Sequence, residues 1–179
     1  MDMKQDRSIR LAALTGVFAA LITLFTAFFI HIPIGFNGGY LHFGDAIIYL
    51  AASLLPLPYA IAAAAIGGGL ADLFTAPMWT IATVVIKSFI VIPFTSHSDT
   101  VLCRRNCAAP VFALFITCLG YYAAEAVLFG SVPALVASIT GNLVQAVGSA
   151  LFYFILAGAL DKGGFKLRFL GKDVREEKR

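Results

Sequence analysis

Charge is what this sequence lacks most. Only 13% of its residues are Asp, Glu, Lys or Arg, and none of these occurs in residues 11–44 or in residues 46–71. Hydrophobic residues make up 60% of the chain, and the mean hydropathy is +0.88. A water-soluble domain of 179 residues would have too few polar residues to cover so much apolar surface. The composition therefore excludes a soluble domain and predicts an all-α integral membrane protein.

Motifs for nucleotide hydrolysis and for common hydrolytic chemistry are missing too. No G-x-x-x-x-G-K-[ST] phosphate loop occurs, so the chain does not hydrolyse ATP by that route. Neither H-E-x-x-H nor G-x-S-x-G is present. Cys103 and Cys107, with His97 nearby, have the wrong spacing and ligand count for a closed tetrahedral zinc site. We therefore expect no catalytic residue, no metal site and no cofactor.

The basic residues are grouped at a few places. Of 13 Lys and Arg, three lie in the first ten residues, Arg104 and Arg105 share a central loop, and seven follow Leu160. The thirteenth, Lys87, lies inside an apolar run. Groups of this kind meet anionic lipid headgroups at the ends of membrane spans, and they do not require a nucleic acid partner. The apolar run 11–30 is too long for the core of a cleaved signal, so we expect it to be retained.

The apolar runs divide into six predicted spans within a single domain. A membrane-crossing helix needs about 20 apolar residues, and the region 43–76 is ambiguous because Pro56-Leu57-Pro58 interrupts it. Two spans in that region place the N-terminus, the Arg104-Arg105 loop and the basic tail 161–179 all in the cytoplasm, as the positive-inside rule requires. The predicted spans are 9–31, 43–56, 58–76, 79–95, 108–129 and 133–160.

Polar side chains within these spans share one depth. In the predicted topology they lie at the outer rim or in the outer half, with Lys87 about 12 Å deep, whereas the inner half is almost entirely apolar. Ionisable groups in a bilayer normally face a bundle interior or a wet cavity. We therefore predict one polar pocket open to the outside. Its candidate residues are Tyr40, His42, Asp45, Asp72, Trp79, Lys87, Tyr121, Glu125, Asn142 and Gln145.

Structural roles compete with ligand binding for each of these residues. Asp45 follows Gly44 and could only cap a helix, and Asp72 and Glu125 could only neutralise Lys87. The aromatic residues could form an interfacial belt, which for Trp79 is favoured over ligand stacking. Asn142 and Gln145 could hold helices together, and a lone His42 is more often structural than catalytic.

Small residues recur every fourth position on the first span. Ala12, Gly16 and Ala20 form a stripe that lets another helix approach closely, either a neighbouring span or a partner subunit. The run Gly67-Gly68-Gly69 in the third span predicts a close helix crossing or a local bend.

Several of these features together resemble a known family. The stretch GGYLHFGDAIIYLAASLL at 38–55, the stretch AIGGGLADL at 65–73 and the intramembrane Lys87 resemble S components of energy-coupling factor (ECF) vitamin transporters. The similarity is to the riboflavin-transporter-like subgroup and covers nearly the whole chain. The resemblance implies six membrane helices with both termini cytoplasmic. It also implies a vitamin or vitamin precursor bound near the outer surface, under a lid at 31–43 with the turn Asn37-Gly38-Gly39.

The resemblance also implies partners. Such S components act with a transmembrane coupling subunit and a pair of ATPases, and their first span docks through an A-x-x-x-A pattern. Here Ala12-x-x-x-Gly16-x-x-x-Ala20 departs from that pattern by one glycine. The expected function is capture of a vitamin, such as a flavin or a thiamine-related or pyridoxal compound, for ATP-driven uptake across a prokaryotic plasma membrane.

Other functions stay open on the sequence alone. One alternative is a stand-alone carrier that uses Asp72 or Glu125 as a proton relay, and another is an intramembrane enzyme that uses His42 or Asp45. A third is a scaffold protein that binds no small molecule.

Overall fold

A bundle of six helices forms the body of the protein in the computed structural model. The structure describes residues 3–29, 32–34, 39–130 and 132–169. The helices are α1 (Met3–Ala27), α2 (Gly44–Leu54), α3 (Leu57–Thr75), α4 (Thr80–Ile90), α5 (Arg104–Phe129), α6 (Val132–Lys162) and the short α7 (Phe165–Phe169), with one 3-10 turn at Pro77–Trp79. Strands β1 (Ile32–Ile34) and β2 (Gly39–Leu41) form a small antiparallel hairpin between α1 and α2.

The six helices are arranged in a closed ring in which α2 lies deepest. The order of contacts around the ring is α1, α3, α4, α5, α6, α2 and back to α1, and α2 also packs against α3. Every residue of α2 is buried. The all-α prediction is confirmed, with the hairpin as an addition that the hydropathy pattern did not reveal.

Only some of the six helices are long enough to cross a membrane by themselves. Four helices are long and apolar enough to cross a membrane, namely Gln5–Ala27, Leu57–Thr75, Arg104–Phe129 and Ile139–Lys162. The helices Gly44–Leu54 and Pro77–Ile90 are apolar but shorter. Eleven residues of α2 span about 16 Å, roughly half of a ~30 Å hydrocarbon core. The count of six crossings and the cytoplasmic termini therefore stay predictions.

Two predicted helix boundaries are wrong, namely the end of α4 and the start of α5, which lie on either side of the same loop. Helix α4 ends at Ile90 rather than at 95, because the chain turns at residues 91–93 and Pro93 cannot supply a helical hydrogen bond. Helix α5 begins at Arg104 rather than at 108, so the two arginines are helical. The Pro56-Leu57-Pro58 interruption is confirmed as a helix break, since α2 ends at Leu54 and α3 begins at Leu57.

The residues that follow Leu160 are not simply a tail. Helix α6 continues to Lys162, and α7 packs back against it. Lys166 of α7 is only 2% exposed, and its Nζ donates hydrogen bonds to the carbonyls of Ser53 (2.8 Å) and Thr100 (3.3 Å). The sequence predicts a basic cytoplasmic tail at 161–179, whereas within it the charged group of Lys166 is satisfied by carbonyls at a helix end and a loop.

Side chains also tie the loop between α4 and α5 to the bundle. The carboxylate of Asp161 accepts hydrogen bonds from the backbone N–H groups of Val101 (2.7 Å) and Leu102 (2.8 Å). Asn106 is fully buried and bonds both the N–H and the carbonyl of Thr95. We call this side of the bundle the arginine end, after Arg104 and Arg105, and the opposite side, with β1–β2, Trp79 and Phe129, the hairpin end.

The three consecutive glycines of α3 allow close helix crossings, as predicted. A Cβ atom on Gly67 would lie 2.7 Å from the carbonyl oxygen of Ala19 and 2.7 Å from the Cβ of Ile22, both on α1. The hydroxyl of Thr23 bridges the same crossing by donating to the carbonyls of Gly67 (3.0 Å) and Ala19 (2.9 Å). Gly68 meets α4 in a similar way, with the Cγ of Lys87 3.0 Å from its added Cβ.

This crossing generates a stability prediction with a matched control. The change Gly67→Ala should lower the free energy of unfolding by about 1–3 kcal/mol, because the added methyl group overpacks against α1. The same change at Gly16, where an added Cβ meets nothing within 4 Å, should be neutral or stabilise by up to about 1 kcal/mol. Thermal unfolding in detergent measures both variants. Equal midpoints for the two variants would show that the crossing does not depend on glycine.

Candidate functional site

A buried ion pair lies at the centre of the bundle. The Nζ of Lys87 on α4 is 2.6 Å from Oδ1 of Asp45 on α2, and both side chains are almost completely excluded from solvent, at 2% and 0% exposure. The second carboxylate oxygen of Asp45 accepts a hydrogen bond from Nε2 of Gln145 on α6, at 3.1 Å. Three helices are thus joined at one point by charged and polar groups.

The turn before α2 explains how Asp45 reaches this position. Nδ1 of His42 accepts a hydrogen bond from the backbone N–H of Gly44 at 3.0 Å, and Phe43 precedes the first helical residue. A Cβ on Gly44 would lie 1.8 Å from Oγ1 of Thr26, so only glycine fits this approach to α1. The turn therefore places Asp45 in the first turn of α2 with its side chain directed into the bundle. His42 itself is buried, at 7% exposure.

A second polar group continues the site along α4 and α5. The carboxylate of Asp72 accepts a short hydrogen bond from the hydroxyl of Thr83, which also lies 2.8 Å from the hydroxyl of Tyr121. The ammonium group of Lys87 lies over the ring of Tyr121, 5.4 Å from its centroid, at a distance typical of a cation–π contact. Lys87 therefore connects the two polar groups.

Aromatic rings lie on the hairpin side of these groups. Trp79 contacts Tyr121 edge-on, with ring centroids 5.9 Å apart, and Phe129 at 5.8 Å. Trp79 is only 8% exposed. The site thus has an aromatic side next to a charged and hydrogen-bonding side, which is the usual composition of a pocket for a flat polar molecule.

The remaining predicted residues are distributed as follows. Glu125 is 3% exposed and lies four residues beyond Tyr121, on the same face of α5. Asn142 is half-buried and precedes Gln145 by three residues on α6. Tyr40 lies on β2 opposite Pro33, but its side chain is outside the part of the chain that the structure describes, as are residues 31 and 35–38 of the predicted lid.

Three interpretations from the sequence need correction. The ion-pair partner found for Lys87 is Asp45, whereas the sequence suggested Asp72 or Glu125. Asp45 neither caps α2 nor lies on an open rim, because α2 has no side-chain cap and Asp45 is fully buried. Trp79 is packed inside the bundle and so does not belong to an exposed interfacial belt.

Thr83 is a residue of the site that was not predicted from the sequence. Its position four residues before Lys87 places it on the same helical face, and this spacing was the signal available in the sequence. Thr83 is 1% exposed and bonds both Asp72 and Tyr121, so it joins α3, α4 and α5 within the site.

The small-residue stripe lies on the outside of the bundle. Ala12, Gly16 and Ala20 are all exposed, and they face away from the contacts that α1 makes with α2 and α3. The alternative in which this stripe packs against a neighbouring span of the same chain is therefore wrong. Across the described residues no group of three or more His, Cys, Asp and Glu side chains could hold a metal ion.

Apolar helices of membrane-spanning length around a buried polar centre define a multi-pass membrane protein. Comparisons with known proteins give the family. A family model described as ECF-type riboflavin transporter, S component, matches residues 6–162, and the chain belongs to this family. Its members are substrate-capture subunits of vitamin transporters and work together with an energy-coupling module. The earlier resemblance is confirmed.

A relative from Pyrococcus woesei has a similar sequence. It is 33% identical over 128 residues, which cover 70% of this chain and 85% of the relative. Its description is limited to an uncharacterized protein in the gap 3′ region.

The buried ion pair generates a prediction about stability. Replacing Lys87 by Met leaves the Asp45 carboxylate buried without its counter-charge, and we expect a loss of about 3–5 kcal/mol in the free energy of unfolding. The double variant Lys87→Met/Asp45→Asn removes both charges and should recover most of that loss. The measurement is thermal unfolding in detergent.

The matched control is Lys162→Met, because Lys162 is exposed at the end of α6. This variant should unfold at the same temperature as the unmodified chain. If the single and double variants at the site lose equal stability, the two charges are not coupled and the assignment of the pair as a structural centre is wrong.

Proposed function

We propose that this chain captures a flavin-type vitamin in the space between the Asp45–Lys87–Gln145 group and the aromatic pair Trp79 and Tyr121. The observation that carries the proposal is the buried ion pair with its neighbouring hydrogen-bonding groups, in a chain that is otherwise poor in charge. Buried charges in membrane helices mark ligand or ion sites when they face a bundle interior.

The chemistry of the site suits a planar heterocycle with a polar edge. A fused ring system would stack on or against Trp79 and Tyr121, while its carbonyl and imide groups would meet Gln145, Asp45 and Lys87. The family description names riboflavin, which has these features, and we propose riboflavin or a close precursor as the ligand. His42, Asp72, Glu125 and Asn142 complete the proposed set of contacts, together with Tyr40 from the hairpin.

The route of the ligand follows from the predicted topology. We propose six crossings with both termini in the cytoplasm of a prokaryotic cell, so that the hairpin end faces outward and the hairpin between α1 and α2 covers the site. The energy for release on the inner side would come from a coupling subunit with two ATPases. The exposed stripe Ala12, Gly16 and Ala20 supports this part of the proposal, because small exposed residues allow a partner helix to approach closely.

Trp79 makes ligand binding directly measurable. It is the one tryptophan in the sequence, and it contacts Tyr121 in the proposed site. Riboflavin added to the purified protein should quench its fluorescence saturably. The change Gln145→Leu should weaken binding between about threefold and tenfold, because one hydrogen bond within the site is lost.

Tyr122→Phe is the control for this titration, since Tyr122 is 41% exposed and adjacent in sequence to Tyr121. Its affinity should equal that of the unmodified protein. Quenching by thiamine or pyridoxal but not by riboflavin would replace the proposed ligand. No saturable response to any of the three would contradict capture of a heterocyclic vitamin at this site.

The docking surface gives a separate prediction. Gly16→Leu places a large side chain on the exposed stripe and should reduce association with the coupling subunit, and therefore uptake, without changing vitamin affinity. The control is Ala159→Leu, an exposed position on α6 and so away from the stripe on α1. Co-purification of the complex and uptake by reconstituted vesicles measure the effect. Equal losses for both variants would remove the stripe as the docking surface.

A further inference from the structure

Five Ser and Thr hydroxyl groups on the helices of this bundle bond to a backbone carbonyl four residues earlier. Thr15 and Thr23 on α1, Ser53 on α2, Thr75 on α3 and Ser88 on α4 all donate in this way, at 2.7–2.9 Å. This is how Ser and Thr satisfy their hydroxyls inside apolar helices. We therefore expect the other buried Ser and Thr hydroxyls on these helices to have a hydrogen-bond partner as well.

Three fully buried hydroxyls are satisfied neither by a backbone carbonyl nor by a side chain of the described part of the chain. Tyr49 on α2, Thr117 on α5 and Ser149 on α6 are each 0% exposed, and their hydroxyl oxygens have no hydrogen-bond partner among the described residues. Leaving such a group without a partner costs about 1–3 kcal/mol. Three of them on three different helices suggest a shared cause. We call Tyr49, Thr117 and Ser149 the hydroxyl layer.

The register of α2 and α6 places two members at the same level. Asp45 bonds Gln145, and the hydroxyls of Ser53 and Tyr153 lie 2.9 Å apart. In both contacts the two residues are 100 positions apart in the sequence. The two helices therefore run parallel with a constant offset. Tyr49 and Ser149 have the same offset and lie midway, about 6 Å from each contact along the helix axes.

The third member, Thr117 on α5, lies at the same level. Trp79 contacts Phe129, whereas Arg105 bonds the carbonyls of Ile92 and Pro93, so α4 and α5 are antiparallel. Thr117 precedes Tyr121 by one turn and therefore lies about 6 Å nearer the arginine end.

The side chains on this face of α5 are directed towards α2. Tyr121, one turn beyond Thr117 on the same face, lies beneath the ammonium group of Lys87, which in turn bonds Asp45 of α2. The hydroxyl layer therefore lies one helical turn beneath the Lys87–Asp45–Gln145 group.

We propose that the hydroxyl layer is a binding site for a neutral oxygen ligand that both donates and accepts hydrogen bonds. Two sources have this chemistry, namely an enclosed water molecule and a hydroxyl group on the side chain of a bound vitamin. Tyr, Thr and Ser hydroxyls each donate one hydrogen bond and accept others, so they fit either source and select against ions. The second source rests on the proposed function, whereas the first does not.

Unfolding of the ligand-free full chain in detergent tests whether the layer is occupied. The variants are Tyr49→Phe, Thr117→Val and Ser149→Ala, singly and in pairs. If a shared oxygen bridges these hydroxyls, each single variant lowers Tm, and each pair lowers it by less than the sum. If the hydroxyls are dry, each variant raises Tm and the effects add, because an unsatisfied buried group has been removed. That result would overturn the proposal.

Two controls separate this effect from general damage to the fold. Thr15→Val removes a buried hydroxyl that is satisfied within its own helix, outside the site, and should show no coupling to any member of the layer. Thr117→Ser keeps the hydroxyl, so it should lower Tm by less than Thr117→Val and its effect should add to that of Ser149→Ala. Equal losses of Tm in Thr117→Ser and Thr117→Val would also contradict the proposal.

Binding of two flavins to the same variants separates the two sources. Riboflavin carries a hydroxylated side chain, and lumiflavin has a methyl group in its place. If the variants bind riboflavin about threefold to tenfold more weakly per lost hydrogen bond but bind lumiflavin as tightly as the unmodified protein does, the layer binds the side chain of the vitamin. Unchanged binding of both flavins, together with coupled losses of Tm, assigns it to water. If the unmodified protein binds neither flavin, the proposed function fails while the unfolding data still decide the layer.

Discussion

The ion pair between Lys87 and Asp45 is the interaction on which the rest of the structure depends. Two charges at 0–2% exposure are tolerated only when each has its counter-charge and further hydrogen bonds, because transfer from water is costly for both. This requirement holds α2 and α4 in one relative position, and Gln145 extends the same constraint to α6. The ring of helices is therefore organised around a polar point rather than around an apolar core alone.

Small residues make that arrangement sterically feasible. Gly68 lets the stem of Lys87 lie against α3, and Gly44 lets the start of α2 approach Thr26 of α1. At each of these contacts, glycine has no side chain, and this leaves room for the charged or polar neighbour. The glycines of this sequence thus determine how closely the helices surround the ion pair, and the ion pair determines where α2 lies.

The two ends of the bundle are closed by different means. At the arginine end, Asp161, Asn106 and Lys166 bond backbone groups of the loop 91–103 and of the end of α2. At the hairpin end, the turn before α2 and strand β2 meet α6. The arginine end is thus held together by side-chain hydrogen bonds to the backbone, which is why we propose that a ligand enters from the hairpin end.

Some features of the fold and site could be predicted from the sequence, because they depend on local pattern. Long uncharged runs predicted the helices, and Pro56 and Pro58 predicted the break after α2. The pairing of Lys87 with Asp45 was beyond such reasoning, since 42 residues separate them and three carboxylates were available at similar depth. The short length of α4 was also missed, because the apolar residues continue past the turn at Pro93.

The central claim is that the polar groups around Lys87 form a chamber for one small molecule. Native mass spectrometry of the full chain, released from detergent after exposure to a mixture of vitamins, tests this claim most directly. The account predicts one adduct per chain with the mass of a flavin, and its loss in the charge-neutral double variant at Lys87 and Asp45. Absence of any adduct, or an adduct that the double variant retains in full, would contradict it.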